Sequence, residues 1–313
     1  MQTTMLTYPH TLLRNELPET VAAIGFFDGV HKGHQRVIRT AISEAETRQI
    51  QSAVITFHPH PSVVLREDVH HVNYITPLKE KEKLVEQLGI DHLYVITFNN
   101  ELSKLTPQTF INHFIIQLHI KHLVTGFDFS YGHKGRGNVH TLQDHAQGSF
   151  TFTTVDEVKM SHEKISSTKI REWLRNGQIT RANSQLGRPL SVRGIVKKGD
   201  MRGREIGYPT ANLNVPADAL LPKVGVYAVK VRYGHDIYLG MGSLGYNPTF
   251  TENKEKPSVE VNILDYSNNL YGEELVLEWH RFIRDEEKFD NVAELVKQIE
   301  DDERQIRDFF RYS

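Results

Sequence analysis

A change of pattern near residue 185 constrains the fold more than any other feature. Before it, short apolar runs at 21–24, 53–57, 93–98, 122–125 and 150–155 alternate with amphipathic stretches. The stretch 34–48 repeats its apolar residues with helical rhythm at Val37, Ile38, Ala41, Ile42 and Ala45. A charged amphipathic helix over 78–88 closes at Gly89, a C-cap residue. Thr106-Pro107 opens another helix with Phe110, Ile111, Phe114, Ile115 and Leu118 as its buried stripe. Strands alternating with helices predict a mostly parallel sheet covered on both faces. Residues 1–20 read as an edge strand or loop leading in, and 166–186 as two further helices containing Ile170, Trp173 and Leu174. From 190 to 284 only β-rich runs remain, separated by Gly, Pro and Asn turns, which predicts a compact antiparallel sheet or barrel. A last helix follows Asn291 and Glu294, at capping-box spacing, with Val292, Leu295, Val296, Ile299 and Ile306 as its apolar face. The expected division is an α/β domain over 1–183 and a β domain with a C-terminal helix over 184–313.

Composition narrows the class. The 313 residues suffice for two domains, and 39% hydrophobic with 24% charged residues fits a globular chain. A net charge of −2 offers no bulk attraction for nucleic acid. No apolar run approaches the roughly 18–20 residues that cross a bilayer, and the first fifteen residues lack the basic start and apolar core of a signal peptide. Cysteine is absent, which excludes disulfides, thiolate metal sites and cysteine nucleophiles and suits the cytoplasm.

The suspicious loops of the first half each follow a strand, where open parallel sheets bind ligands. The first, IGFFDGVHKGHQ at 24–35, joins a strand to a helix through Gly25, Gly29 and Gly33. Glycines let backbone approach a ligand, and the first amides of a helix have no internal partner, so the turn suits phosphate. His31 and His34, three residues apart, can present both rings on one face there. The P-loop Lys-Ser/Thr and the GxGxxG spacing are both missing. The second loop, Phe57-His58-Pro59-His60-Pro61, reads either as a proline-stiffened turn or as a two-histidine metal pair without an evident third ligand. The third, 126–138, is either a mobile surface loop or a platform for a planar ring, with Phe127, Phe129 and Tyr131 alternating beside glycines. Ser166, Ser167 and Thr168 open a helix that carries Arg171; they read as an ordinary N-cap or as a phosphate cluster.

In the second half, Gly199, Gly203 and Gly207 recur every four residues among basic residues including Arg204. This is either a solvated hairpin or a flap over phosphates. Thr210 and Asn212 then offer two oxygen ligands on one face of an extended segment, the donor type Mg²⁺ prefers. Glu260 lies in a β-rich run, where a lone glutamate usually faces solvent.

The string GFFDGVHKGH carries the HxGH signature of the nucleotidylyltransferase superfamily and resembles bacterial FMN adenylyltransferases. FHPHP, the GFDFSYG…GN loop and ISSTKIR resemble further segments of that family, with Tyr131 where a Phe is usual and Asn138 matching its Asn. KKGDMRGREIGYPTAN, GYNPT, VEVNI, LYG and FIRDEEKF resemble riboflavin kinase segments, with Asn262 where a His is often found. The resemblance covers nearly the whole chain and is to the bifunctional riboflavin kinase/FMN adenylyltransferase family, the bacterial-type FAD synthetases. It implies a Rossmann-like nucleotidylyltransferase domain followed by a small β-barrel with a C-terminal helix.

The resemblance also implies roles. Riboflavin and ATP would give FMN and ADP in the second domain, and FMN and ATP would give FAD and pyrophosphate in the first, with Mg²⁺ serving both. His31, His34 and Arg171 would stabilise adenylyl transfer, and Glu260 would be the kinase base. Gly25, Phe26, Asp28, Gly29, Gly33, Ser166, Ser167, Thr168, Gly199, Gly203, Arg204 and Gly207 would meet nucleotide phosphates. His58, Pro59, His60, Pro61, Asp128, Phe129, Asn138, Asn247 and Arg284 would lie near flavin, and Thr210 and Asn212 would hold the metal. The chemistry agrees: an FMN phosphate is largely a dianion at neutral pH and needs no base, whereas the riboflavin 5′-hydroxyl must lose a proton to attack. Two other readings remain open: a flavin-binding regulator without activity, or an enzyme with one live activity or another phosphate substrate.

Overall fold

The computed structural model describes residues 1–66, 68–160, 163–199, 202–246 and 257–312. They form two compact units, Met1–Ser167 and Thr168–Ser313.

The first unit is built on a parallel sheet of β1 (Gln2–Leu6), β2 (Thr20–Ile24), β3 (Gln51–His58), β4 (His92–Thr97), β5 (Ile120–Gly126) and β8 (Thr151–Val155), in the order β1-β4-β3-β2-β5-β8. Two short hairpins lie outside it, β6 (Ser130–Tyr131) with β7 (Gly137–Asn138), and β9 (Lys159–Met160) with β10 (Glu163–Lys164). The helices are α1 (Lys32–Arg48), α2 (Pro61–Leu65), α3 (Leu78–Gln87), α4 (Asn100–Ser103), α5 (Pro107–Ile111) and α6 (Leu142–Ala146). Past Ile111 the chain winds on as a π-helical stretch, Asn112–Ile116. Because strand side chains alternate, β2 sends Ala22 and Ile24 to one face and Val21 and Ala23 to the other. The first face packs under Phe110, Ile111, Phe114 and Ile115; the second packs under Val37, Ile38, Ala41 and Ala45 of α1. The central strands β2, β3, β4 and β5 are buried on both faces, as parallel strands are, whereas the edge strands β1 and β8 are partly exposed.

The second unit begins with α7 (Ser167–Arg175), which starts one residue before it, and α8 (Ile179–Leu186). A closed antiparallel barrel follows, of β11 (Leu190–Lys197), β12 (Ala211–Asn214), β13 (Gly225–Tyr233), β14 (Asp236–Gly245), β15 (Ser258–Ile263) and β16 (Glu274–Arg284). A single turn of helix, α9 (Arg202–Glu205), interrupts the β-only region, and α10 (Val292–Arg311) ends the chain. Helix α8 packs on β11 and β16, and the Asn183 amide donates to the Trp279 carbonyl at 2.7 Å. The capping box of α10 forms, with the Glu294 amide donating to Asn291 Oδ1 at 3.0 Å. Val292 does not join its apolar face: it is exposed, because it sits beside the cap, ahead of the stripe that reaches the barrel.

The buried face of α10 also holds a charge. Asp302 is fully buried and accepts from Arg284 Nε and Nη2 at 3.0 and 2.8 Å, tying α10 to β16. Removing one partner of a buried pair strands the other charge. Asp302→Ala should therefore cost the second unit roughly 3–5 kcal/mol. Both tryptophans, Trp173 and Trp279, belong to that unit, so their fluorescence during denaturant unfolding reads the loss. A change under about 0.5 kcal/mol, the scale of a neutral surface substitution, would mean that the pair contributes nothing net.

Candidate active sites

In the first unit the glycine loop 25–31 leaves the carboxyl end of β2 and enters α1. His31 is the N-cap: its Nδ1 accepts the His34 backbone N–H at 3.2 Å, and its ring is buried. With Nδ1 occupied as an acceptor, the His31 proton sits on Nε2, which leaves that nitrogen a donor. The rings of His31 and His34 stack with centroids 3.5 Å apart. Gly33 makes room for this, since a Cβ there would meet the His31 ring at 3.1 Å. A Cβ at Gly25 would fall 2.8 Å from the Phe27 ring, and Gly29 has φ of 89°. Phe27 and Val30 hold φ of 51° and 41°, in the left-handed region. Such residues cost on the order of 1–3 kcal/mol each and persist where the surroundings fix them.

The fixing contacts are visible. The Asp28 carboxylate accepts the amides of Ile75 and Thr76 at 3.3 and 3.1 Å. The hydroxyl of Ser167, the last residue of the first unit, donates to the Asp28 carbonyl at 2.8 Å. Thr168 and Arg171 lie further along α7, Arg171 one turn past Ser167. Lys81 Nζ and Thr56 Oγ1 both donate to the Phe26 carbonyl, at 2.7 and 3.0 Å. The sequence pattern placed α3 as a charged helix and did not single out Lys81 or Tyr74. The only available signal for Lys81 was its position four residues before the core residue Val85.

The FHPHP segment caps α2. His60 Nδ1 accepts the Ser62 amide at 3.1 Å, its own amide donates to the Tyr74 hydroxyl at 2.9 Å, and the Phe26 ring meets its ring edge-on at 4.5 Å. Pro61 opens α2 and His58 closes β3, with Pro59 between them. His58, His60 and Phe26 thus converge on Tyr74. Among the described residues no group of three or more His, Cys, Asp or Glu could hold a metal ion, and the contacts the loop makes are those of a stiff turn that caps α2.

The aromatic platform is smaller than its alternation suggests. Tyr131 is core: it packs on Phe110, and its hydroxyl meets His145 Nδ1 at 2.7 Å. The hydroxyl that distinguishes it from Phe thus has a half-buried partner. Phe129 stacks on Tyr131, while Phe127 is exposed with the Lys164 ammonium 4.4 Å over its ring. Asp128 is exposed, 3.9 Å from Lys164, and Asn138 Oδ1 accepts the His140 amide within its own turn.

In the barrel, β12 lies between β11 and β15, so that Asn212 stands directly opposite Glu260 and opposite Lys197. The Thr210 hydroxyl donates to Glu260 Oε2 at 3.1 Å. Thr210, Asn212 and Glu260, 50 residues apart in sequence at the extremes, thus form one cluster of hard oxygen donors. Gly199 faces it: a Cβ there would come within 2.3 Å of Asn212 Nδ2. Gly203 lies under the Tyr208 carbonyl, Gly207 turns with φ of 85°, and Arg204 reaches the Tyr271 hydroxyl at 3.3 Å. Asn262, two residues beyond Glu260, donates to the Pro209 carbonyl at 2.8 Å and so braces the segment carrying Thr210. Arg284 is engaged by Asp302. Asn247 lies outside the described residues.

Known proteins resemble the chain along its length. The FAD synthetase family model matches residues 13–169 and the riboflavin kinase model residues 186–310. A bifunctional riboflavin kinase/FMN adenylyltransferase of Listeria monocytogenes is 46% identical, over 99% of this chain and 98% of its own. One of Bacillus subtilis is 44% identical over 99% and 98%. A solved structure described as a macrolide-efflux protein from Streptococcus pneumoniae superposes with a TM-score of 0.88 at 33% identity, covering 98% of this chain and 99% of that one. Efflux is said of that protein; in this chain no helix among the described residues is long and apolar enough to cross a membrane.

Proposed function

Since the chain belongs to the bifunctional riboflavin kinase/FMN adenylyltransferase family, we propose that it converts riboflavin to FMN in its barrel and FMN to FAD in its α/β unit, using ATP twice. The observation that carries the kinase half is the Thr210–Glu260–Asn212 cluster. Glu260 accepts the proton of the riboflavin 5′-hydroxyl as its oxygen attacks the γ-phosphorus of ATP, and ADP leaves. Thr210 and Asn212 would hold Mg²⁺; hydroxyl and amide oxygens are donors that ion accepts, and it takes its remaining ligands from phosphates and water. Bound there, Mg²⁺ would neutralise phosphate charge. Gly199, Gly203 and Gly207, with Arg204, would meet the phosphates of the nucleotide.

In the α/β unit an FMN phosphate oxygen attacks the α-phosphorus of ATP and pyrophosphate leaves. The nucleophile arrives ionised, so the site supplies donors and charge and no base. His31 offers Nε2–H, His34 stands stacked on it, and the hydroxyls of Ser166 and Ser167 take the leaving phosphates; Thr168 and Arg171, which follow them in sequence within the proposed adenylyltransferase span, are assigned to the same phosphates by the family resemblance. Gly25, Phe26, Asp28, Gly29 and Gly33 shape the turn that lets the triphosphate approach. We assign the flavin to the side of His58, Pro59, His60, Pro61, Asp128, Phe129 and Asn138 in this unit, and to that of Asn247 and Arg284 in the barrel. The adenylyltransferase domain is proposed to span 1–183 and the kinase domain 184–313, in the cytoplasm.

Purified chain given riboflavin, ATP and Mg²⁺ should form FMN first and FAD after it, resolved by chromatography over time. Supplied FMN should yield FAD without a lag. Absence of both products would remove the reading, and FMN alone would remove its adenylyltransferase half.

A further inference from the structure

Behind the glycine loop sits a buried cation that no step above uses. Lys81 is 3% exposed on the inner face of α3, between Leu78 and Val85. Its Nζ donates to the Phe26 carbonyl at 2.7 Å and to Thr56 Oγ1 at 3.2 Å. It also lies 4.6 Å from the centre of the Phe26 ring. Thr56 Oγ1 donates to the same carbonyl at 3.0 Å, so two donors from two elements converge on one loop oxygen.

We propose that Lys81 is a positioning residue for adenylyl transfer, holding the Phe26 carbonyl against β3 and thereby setting where His31 and His34 stand. The proposal rests on the reading that this loop adenylylates FMN. The loop leaves β2 at Ile24 and must reach the α1 cap at His31 through two non-glycine residues in left-handed backbone, Phe27 and Val30. Its other supports act further along: Ile75, Thr76 and Ser167 hold Asp28, and Gln35 holds the Val30 carbonyl at 2.9 Å. At the strand end, the Phe26 carbonyl is held by Lys81 and Thr56. If only filling were needed, an apolar side chain of similar length would occupy the site without desolvating a charge. A long side chain with several donors meets a carbonyl and a hydroxyl that a methionine would not. Burial pushes the Lys81 ammonium down to about 8, against the opposing pull of the Asp28 carboxylate. Of its helix neighbours, Glu80 lies 4.0 Å from Lys83. The Phe26–Lys81 contact therefore weakens within an accessible pH range.

The test uses full-length Lys81→Met and Thr56→Val, assayed for FAD formation from FMN, with riboflavin phosphorylation in the same samples as control. In Lys81→Met, kcat for FAD formation should fall about tenfold to a hundredfold, as misplacing catalytic groups by about 1 Å does. KM for FMN and ATP should stay within about threefold, and riboflavin phosphorylation should be unchanged. Wild-type kcat should decline as pH rises through about 8, and Lys81→Met should lack that decline. Thr56→Val, which keeps the charge and the shape, should lose kcat in the same direction by less. Should Lys81→Met not fold, the Thr56→Val kcat and the wild-type pH profile decide: a kcat within twofold and no decline above pH 8 would overturn the proposal. A folded Lys81→Met with wild-type kcat and only a lower melting temperature would overturn it too, as a lysine that is merely structural. A wild-type chain that makes FMN but no FAD would remove the adenylyltransferase reading, and the proposal with it.

Discussion

Glu260→Gln should lower riboflavin phosphorylation by about 10²–10⁴, the range set by loss of a general base. The substitution keeps the side chain's size and one acceptor oxygen, so the Thr210 hydroxyl, which donates to Glu260 Oε2 at 3.1 Å, can keep its partner. The register that puts Asn212 opposite position 260 is a backbone property and does not change. Only basicity is lost. Riboflavin and ATP should therefore still bind, which flavin fluorescence measures, and FMN supplied from outside should become FAD at the wild-type rate. Kinase turnover within a few-fold of wild type would defeat the assignment. Loss of riboflavin binding would instead give Glu260 a substrate-holding role.

The second large effect is expected at His34. His34→Ala should reduce FAD formation from FMN by roughly 10²–10³, the usual scale for removing one donor to developing charge. The structure separates this from unfolding. The bond that caps α1 uses the backbone N–H of residue 34, donated to His31 Nδ1, and alanine keeps it. What disappears is a ring stacked 3.5 Å from His31 and 5.3 Å from Phe27. FMN formation from riboflavin should persist. An equal loss of both products would make His34 a structural residue of the whole chain.

Much of this was legible in residue order because it depends on local chemistry. Apolar runs of β-branched residues became the strands of a sheet whose central members are buried on both faces, and the Asn291–Glu294 spacing became a cap. The loops after β2 and β3 stood out because glycine, proline and histidine crowd there. What stayed hidden depends on partners far away in sequence. Lys81 reads as a solvated helix residue until Phe26, 55 residues earlier, is seen to bring its carbonyl to it. Asp302 reads as one more acid of a charged helix, yet Arg284 draws it into the core. Tyr131 looked like part of a ligand platform because its neighbours alternate; His145 and Phe110 make it core instead. Asn262 looked like a departure on the flavin side, whereas its amide braces Pro209, a bond with no trace in local pattern.

The central claim is that one chain performs two different substitutions at phosphorus, at the γ-position of one ATP and the α-position of another. Purified protein can be given riboflavin, Mg²⁺ and ATP labelled separately at the γ- and α-phosphorus. FMN should carry γ-label and no α-label. FAD should carry one γ-derived phosphorus on its flavin side and one α-derived phosphorus on its adenosine side, with unlabelled pyrophosphate when the label is at α. FAD that takes label from only one of the two ATP preparations, or γ-label that never enters the flavin, would contradict the account.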